Sequence, residues 1–273
     1  MIKTFILEND PAKIELYDLA GVSRIFVDLE INGKVARQGG MDTVISRHTV
    51  EDVVKARAVI KKGELLVRVN PIFDGSKQEV DSVIDAGADV VMLPMFTHAD
   101  EVRTFVELVG GRAKVSLLLE TSQAFCRADE ILEVEGIDEV HIGLNDLHLS
   151  MGLDFMFELM ALGQVELLAQ KLNRKSIPFG VGGVAKMKEG ELDGAIILKE
   201  HVRIGSTAVI LSRTFKADGQ VRMDEVKHNL DELQHVYSQA QELTTEALVH
   251  NKALLDKKVQ QISAKIRSKK RKA

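Results

Sequence analysis

Short apolar runs alternate with longer amphipathic stretches along most of this chain. The apolar runs predict eight strands, at residues 3–7, 24–29, 65–70, 90–93, 114–119, 139–142, 178–181 and 208–211. The stretches between them have apolar residues at helical spacing and predict helices at 11–20, 50–61, 77–86, 99–109, 124–134, 155–174 and 192–201. This alternation indicates the α/β class.

Eight strands separated by helices predict parallel pairing, because neighbouring parallel strands need a crossover connection. The chain length and the strand count favour one closed (β/α)8 barrel, a TIM barrel, over an open doubly wound sheet. No glycine-rich dinucleotide fingerprint follows the first strand, which also disfavours the open sheet.

The pattern changes after Phe215, where a long C-terminal helix and a basic tail follow. Residues 223–250 have Val226, Leu230 and Leu233 at helical spacing, and residues 251–273 carry many lysines and arginines against one acid, Asp256. We expect residues 1–220 to form the barrel and residues 221–273 a helical extension that packs in a homo-oligomer. The tail is expected to be a solvated, frayed helix end or an electrostatic tether for an acidic partner, membrane headgroups or a polyanion.

Composition narrows the possible functions. The chain has 273 residues, 45% of them hydrophobic, and a formal net charge of −5, so we expect a sizeable core and no nucleic acid partner. A single cysteine, Cys126, excludes an intramolecular disulfide and fits a reducing compartment. No apolar run approaches the roughly 18 to 20 residues of a transmembrane segment, and none resembles a signal peptide. We therefore expect a cytoplasmic protein.

Ionisable residues collect where the predicted strands end, and functional side chains of a (β/α)8 barrel lie at these ends. Two acids from neighbouring strands suit a hard divalent cation, and an arginine suits a carboxylate ligand. Ion pairs at the rim would explain any one of these charges, but a site for a metal and a carboxylate explains the set. His48, in the long loop after strand two, is a candidate proton carrier. The other strand-end candidates are Asp28, Glu30, Arg68, Glu120, Asn145, Asp146 and Arg213.

Several strand-end segments form an ordered series through the first three-fifths of the chain. They are Phe-Val-Asp-Leu-Glu at 26–30, Val-Arg-Val-Asn at 67–70, Gly-Ala-Asp-Val-Val-Met-Leu-Pro-Met at 87–95, Leu-Glu-Thr-Ser-Gln-Ala at 119–124, Val-Glu-Gly-Ile-Asp at 134–138 and Ile-Gly-Leu-Asn-Asp-Leu at 142–147 with Met-Gly at 151–152. In this order they resemble the HpcH/HpaI aldolase and citrate lyase family of phosphoenolpyruvate/pyruvate-binding barrels, and the series is more specific than any one segment.

The resemblance implies a metal site and a binding site for a 2-oxo acid. Glu120 and Asp146 are similar to the two protein ligands of the family's Mg²⁺ or Mn²⁺. Arg68 resembles the arginine that binds the oxo acid and steadies the enolate oxygen. Asp28 and Glu30 resemble acids that hold metal-bound waters.

The resemblance also implies where the substrate lies, and it has one notable departure. Gly143 and the backbone after Asn145 match the loop against which the pyruvate carboxylate lies. The aldolase branch has a histidine directly after its Asp-x-Glu motif, and the citrate lyase branch an aspartate, but here the residue is Ile31. The candidate proton acceptors are His48 and a metal-bound water held by Asp28 and Glu30.

The expected function is divalent-metal-dependent carbon–carbon cleavage or formation on a 2-oxo acid, through a pyruvate-type enolate. Arg213, at the end of the last strand, is the candidate for a distal carboxylate or phosphate of the substrate. One alternative is an acyl-CoA thioester lyase of the citrate lyase beta type. The other is a non-catalytic metabolite-binding relative, which the missing histidine favours and the presence of Arg68, Glu120 and Asp146 opposes.

Overall fold

The computed structural model describes residues 1–32, 48–216 and 222–270. Each strand pairs in parallel with the next, and the last pairs with the first, so the sheet closes. The predicted (β/α)8 barrel is confirmed. The strands are β1 (Lys3–Leu7), β2 (Arg24–Asp28), β3 (Glu64–Arg68), β4 (Val90–Leu93), β5 (Lys114–Leu119), β6 (Glu139–Ile142), β7 (Phe179–Val184) and β8 (Ala208–Leu211).

Helices follow the strands as the crossovers of a parallel barrel require. A 3-10 turn, Arg213–Phe215, follows β8. In chain order the helices are α1 (Pro11–Ala20), α2 (Val50–Val59), α3 (Ser76–Asp85), α4 (Ala99–Val109), α5 (Ser122–Cys126), α6 (Ala128–Ile131), α7 (Leu144–Ser150), α8 (Glu158–Ala161), α9 (Gln164–Arg174), α10 (Gly194–Ile204), α11 (Met223–Gln241) and α12 (Thr245–Lys270).

The strands bury side chains on both of their faces, which is why they appear in the sequence as nearly continuous apolar runs. Phe26, Leu66 and Met92 belong to a small cluster inside the barrel. Ile25 and Val67 point the other way and join the large core between the strands and the helices.

An ion-pair network lies where the strands begin, at the end of the barrel opposite to the candidate site. The Arg24 side chain is fully buried, and it donates to Glu64 Oε2 through Nε (3.1 Å) and Nη2 (2.6 Å) and to Glu139 Oε1 through Nη1 (2.5 Å). Its guanidinium carbon lies 4.5 Å from the centroid of the Phe5 ring. Burial would raise the pKa of Glu64, but hydrogen bonds from Lys114 and Arg24 lower it to about 2.

Two helices predicted as continuous are broken. The predicted helix at 155–174 is α8 and α9, separated by Gly163, whose φ of 89° belongs to the left-handed region that favours glycine. The predicted helix at 124–134 is α5 and α6, with Arg127 between them in a non-helical conformation (φ −102°, ψ 16°).

The C-terminal helices pack on the barrel of their own chain. In α11, Gln234 exchanges two hydrogen bonds with the backbone of Ile2 (3.0 and 2.7 Å), and Tyr237 donates to the Ser206 carbonyl. In α12, Asn251 donates to the Ile196 carbonyl at 3.1 Å. The expected boundary between residues 220 and 221 lies outside the described residues.

The basic tail differs from the frayed end expected of it. Helix α12 continues to Lys270, and Arg267 and Lys270 form ion pairs with Asp154 and Glu158. Of the helices in the described ranges, none is long and apolar enough to cross a membrane.

Candidate active site

A largely buried ion pair joins the ends of β2 and β3. Asp28 and Arg68 are the last residues of these strands and lie side by side in the parallel register. Arg68 donates to Asp28 Oδ1 through Nε and to Oδ2 through Nη2, both at 2.8 Å, and Nη2 lies 3.3 Å from Glu30 Oε2. Burial alone would lower the pKa of Arg68, but the charges of Asp28, Glu30 and Glu120 raise it. The guanidinium is therefore a fixed cation.

The second part of the site is Glu120, which directly follows β5 and is 3% exposed. Its side chain packs against Gly143, the residue after β6. A Cβ on Gly143 would lie 2.9 Å from Glu120 Cβ and 3.0 Å from Glu120 Oε2. The absence of a side chain at Gly143 therefore leaves room for the carboxylate of Glu120.

Asp146 lies in the first turn of α7, which begins directly after Gly143. Asp146 is half-buried and the preceding Asn145 is exposed. The segments that carry Glu120 and Asp146 are joined further along, where Ser122 N and Oγ lie 2.9 and 2.8 Å from Ser150 Oγ.

These two acids fit a hard cation in donor type and in number. Across residues 1–32, 48–216 and 222–270, no group of three or more His, Cys, Asp or Glu side chains could hold a metal ion. Mg²⁺ commonly takes only one or two protein carboxylates and completes its shell with oxygens from water and substrate. Glu120 and Asp146 would be the pair that holds it. The structural observation in favour is that Gly143, which has no side chain, leaves room for the Glu120 carboxylate.

His48 is anchored by the backbone of Asp28, whose N–H donates to His48 Nδ1 at 3.1 Å. Burial lowers the pKa of His48 although the charge of Asp28 opposes the shift. A neutral ring whose Nδ1 accepts a hydrogen bond has its proton on Nε2. The basic nitrogen of His48 is thus occupied by the backbone.

Asn70 holds the chain just beyond the acids of β2. Its Oδ1 accepts from the backbone N–H groups of Ile31 and Asn32, both at 2.9 Å, and its Nδ2 donates to Glu79 at 2.6 Å. Ile31, where the aldolase branch is expected to have histidine, is 54% exposed.

Two charged residues at the barrel mouth were absent from the predicted site. Glu8 directly follows β1 and is 7% exposed, and Lys216 Nζ lies 3.9 Å from Glu8 Oε2. The electrostatic effect of both reaches His48. Glu8 could have been found from the sequence, because it directly follows the predicted strand at 3–7. Lys216 could not, because it follows a 3-10 turn that no apolar periodicity predicts.

The predicted residues thus separate into three groups. Asp28, Glu30, Arg68 and His48 form one connected cluster, and the charge of Glu120 acts on it. The segment that carries Gly143, Asn145 and Asp146 adjoins Glu120 through Gly143. Arg213 is exposed in the 3-10 turn after β8.

A closed parallel barrel with a buried arginine–carboxylate cluster at the carboxyl ends of its strands defines the class as a (β/α)8-barrel protein with an ionisable mouth. The sequence model of the HpcH/HpaI aldolase/citrate lyase family matches residues 2–158, so the chain belongs to this family. The family is named for aldolases and citrate lyases.

Curated relatives resemble part of the chain. It is 26% identical over 154 residues to a 2-keto-3-deoxy-L-rhamnonate aldolase of Escherichia coli, which covers 44% of the chain and 57% of the relative. A second enzyme of that name from another Escherichia coli strain is 31% identical over 114 residues, covering 31% of the chain and 42% of the relative. The chain thus spans about half the length of the curated relatives it matches.

Solved structures share the fold. An HpcH/HpaI aldolase from Desulfitobacterium hafniense has a TM-score of 0.59 at 17% identity, covering 89% of this chain and 94% of that one. A family protein from Burkholderia cenocepacia has a TM-score of 0.62 at 15% identity, covering 86% and 94%. The citrate synthase SbnG has a TM-score of 0.58 at 17% identity, covering 87% and 93%. At these identities the similarity shows the fold alone.

Proposed function

We propose that this protein is a divalent-metal-dependent carbon–carbon lyase of the aldolase type that acts on a 2-oxo acid through a pyruvate-type enolate. The observation that carries the proposal is the buried cluster in which Arg68 is clamped by Asp28 and Glu30, within the electrostatic reach of Glu120. Its place at the carboxyl ends of the strands, in a chain of an aldolase and citrate lyase family, supports this function over a purely structural role.

Arg68 is oriented by the bonds it already makes. Its Nε and Nη2 are directed at the two acids of the β2 segment, and none of the hydrogen bonds within the described residues uses Nη1. The Nη1 group can therefore donate to a developing enolate oxygen. A donor fixed before the reaction stabilises a developing negative charge without reorganisation.

Glu120 and Asp146 would hold Mg²⁺ or Mn²⁺, which, when bound, supplies Lewis-acid polarisation of the substrate's 2-oxo group. Because Gly143 has no side chain, the Glu120 carboxylate can occupy its position beside the end of β6. Asp146 lies shortly after Gly143 along the chain, in the first turn of α7. We propose that the substrate's carboxylate lies along the backbone from Gly143 to Asn145.

The proton acceptor in the cleavage direction is one of two groups. His48 can take a proton on Nδ1 only after the N–H of Asp28 has released that nitrogen. A water beside Asp28 and Glu30 needs no such rearrangement, and the geometry therefore favours the water as acceptor. His48, with its proton on Nε2, then serves as a hydrogen-bond donor at the mouth.

A distal anionic group of the substrate has two candidate partners directly after β8. Arg213 is exposed there, and Lys216 is partly buried. The Lys216 ammonium makes no hydrogen bond to the residues described, and its 3.9 Å distance from Glu8 is longer than a hydrogen bond. We propose that Lys216 joins Arg213 in binding a distal carboxylate or phosphate.

Exchange of the methyl protons of pyruvate with D2O, followed by proton NMR, tests the enolate. We expect exchange that depends on added Mg²⁺ or Mn²⁺ and is lost in the Glu120→Ala/Asp146→Ala double variant. Glu107→Ala is the matched control, because Glu107 is an exposed acid on α4. A wild-type protein without exchange in either metal would contradict the enolate mechanism and favour the non-catalytic alternative. Equal Mn²⁺ affinity of the double variant and the wild type would disprove the metal site.

A further inference from the structure

The end of the C-terminal helix is attached to the segment that follows Asp146. Arg267 donates to Asp154 Oδ2 through Nε and to Glu158 Oε1 through Nη2, both at 2.6 Å. Lys270 Nζ donates to the other oxygen of Asp154 at 2.8 Å. These bonds join residues more than a hundred positions apart in the chain.

Asp154 lies in the turn between α7 and α8, and Glu158, the first residue of α8, fixes that turn. Glu158 is 5% exposed, and its Oε2 accepts from the backbone N–H groups of Asp154 and Phe155, both at 2.9 Å. The Phe155 ring packs edge-on against Phe157, with 5.3 Å between the ring centroids. Arg267 therefore binds a turn that is already shaped by Glu158.

The turn continues without interruption into α7. Gly152 ends this helix with a φ of 68°, and Leu153 N–H donates back to the His148 carbonyl at 2.9 Å. This arrangement is a typical glycine C-cap, which fixes the direction in which the chain leaves the helix. Asp146 lies in the first turn of the same short helix, whose other end begins at Gly143 beside Glu120.

The rest of α12 is held by other contacts. Asn251 donates to the Ile196 carbonyl at 3.1 Å, and Leu255 and Val259 are fully buried. Removal of the charges at Arg267 and Lys270 should therefore loosen only the last turns and leave the helix docked.

We infer that Arg267 and Lys270 form a strap that positions the Asp146 segment, so that docking of the tail and binding of a divalent cation favour each other. This inference rests on the proposed function of Glu120 and Asp146 as metal ligands. In this interpretation the basic tail positions a segment of its own chain. A frayed helix end, or a tether for a polyanion outside the chain, would not do so. Coupling between two sites is reciprocal, so each event must strengthen the other by the same factor.

The test compares Arg267→Ala/Lys270→Ala with the matched control Lys265→Ala/Lys269→Ala. The control lysines are exposed on the same turns and have no ion pair among the described residues. Mn²⁺ affinity is measured from the free-ion EPR signal, and amide hydrogen exchange of residues 147–158 is measured by mass spectrometry without metal. We expect the strap variant to bind Mn²⁺ about fivefold more weakly and to exchange faster in this segment, and the control to match the wild type. Arg267→Lys/Lys270→Arg keeps both positive charges and should lie between the strap variant and the wild type in both measurements.

Reciprocity supplies a second measurement. Saturating Mn²⁺ should slow amide exchange at residues 264–270 in the wild type but not in the strap variant. Equal Mn²⁺ affinities of the strap variant, the control and the wild type would overturn the inference. If the wild type binds no Mn²⁺, the metal site itself has failed. Amide hydrogen exchange without metal then tests the strap by itself. Equal exchange rates at residues 147–158 in the strap variant, the control and the wild type would reject it.

Discussion

The packing of Gly143 against Glu120 provides a way to disturb the proposed metal ligand without removing its carboxylate. Gly143 has a φ of −81°, which alanine adopts freely, so Gly143→Ala adds only the Cβ. That atom would lie 2.9 Å from Glu120 Cβ, 3.0 Å from its Oε2 and 3.1 Å from Leu118 Cδ1. Because a carbon needs about 3.5 Å from such neighbours, Glu120 must move by several tenths of an ångström.

The displacement has two measurable consequences. Overpacking of this kind destabilises by about 1–3 kcal/mol, which urea unfolding will show. Disturbing the support of a metal ligand typically costs about 10- to 100-fold in metal affinity, which a Mn²⁺ titration by EPR will show. Gly183→Ala is the control, because a Cβ on Gly183, also at the strand ends, meets only Ile210 O, at 3.3 Å.

The comparison of the two variants decides the interpretation. We expect Gly143→Ala to lose Mn²⁺ affinity well beyond any loss in Gly183→Ala. If Gly143→Ala is destabilised but binds Mn²⁺ as tightly as the wild type, the position of Glu120 does not matter for metal binding. The assignment of Glu120 as a ligand would then be wrong.

Two further predictions concern charges. Arg68→Lys keeps the positive charge but loses the two parallel hydrogen bonds to Asp28. The rate of exchange of pyruvate methyl protons should therefore fall about a hundredfold. An unchanged rate would mean that Arg68 does not touch the enolate oxygen. Burial lowers the pKa of His141 to about 4 and that of His201 to about 3, from the ordinary 6.5. Below pH 6.5 the unfolded chain therefore binds more protons, and the free energy of unfolding should fall toward pH 4 by up to about 1.4 kcal/mol per pH unit for each histidine. Urea unfolding at stepped pH checks this, and an undiminished slope in His141→Gln would contradict it.

The fold and part of the site could be predicted from the sequence because both follow from local pattern. Apolar runs bounded by polar residues define buried parallel strands, and strand ends share one rim. Asp28 and Arg68 lie near the ends of adjacent predicted strands, 24–29 and 65–70, and the structure pairs them as the last residues of β2 and β3. The ion pair between them could not be predicted from the sequence. The spacing of the strands shows which side chains lie at the same end of the barrel, but it does not show which of them form hydrogen bonds with each other.

Interactions between distant segments could not be predicted. The charge run at the C-terminus looked solvated because its own neighbourhood contains almost no acids. Its partners lie more than a hundred residues earlier, where Asp154 precedes the helix predicted at 155–174 and Glu158 is the first residue of α8. The hydrogen bond from Asp28 to His48 likewise depends on where a long loop returns to the barrel.

Arg24 and Arg68, at opposite ends of the barrel, show why one end is assigned to chemistry and the other to stability. Arg24 and Arg68 are each flanked by two carboxylates and each lie near a phenylalanine ring. Arg24 uses Nε, Nη1 and Nη2 in hydrogen bonds to Glu64 and Glu139, so every nitrogen of its guanidinium is engaged. Arg68 leaves Nη1 without a hydrogen bond among the described residues, at the end of the barrel where the active sites of (β/α)8-barrel enzymes lie. A largely buried cation with an unused donor is costly to a structure unless a ligand completes its hydrogen bonds, and an anionic oxygen of a 2-oxo acid would do so.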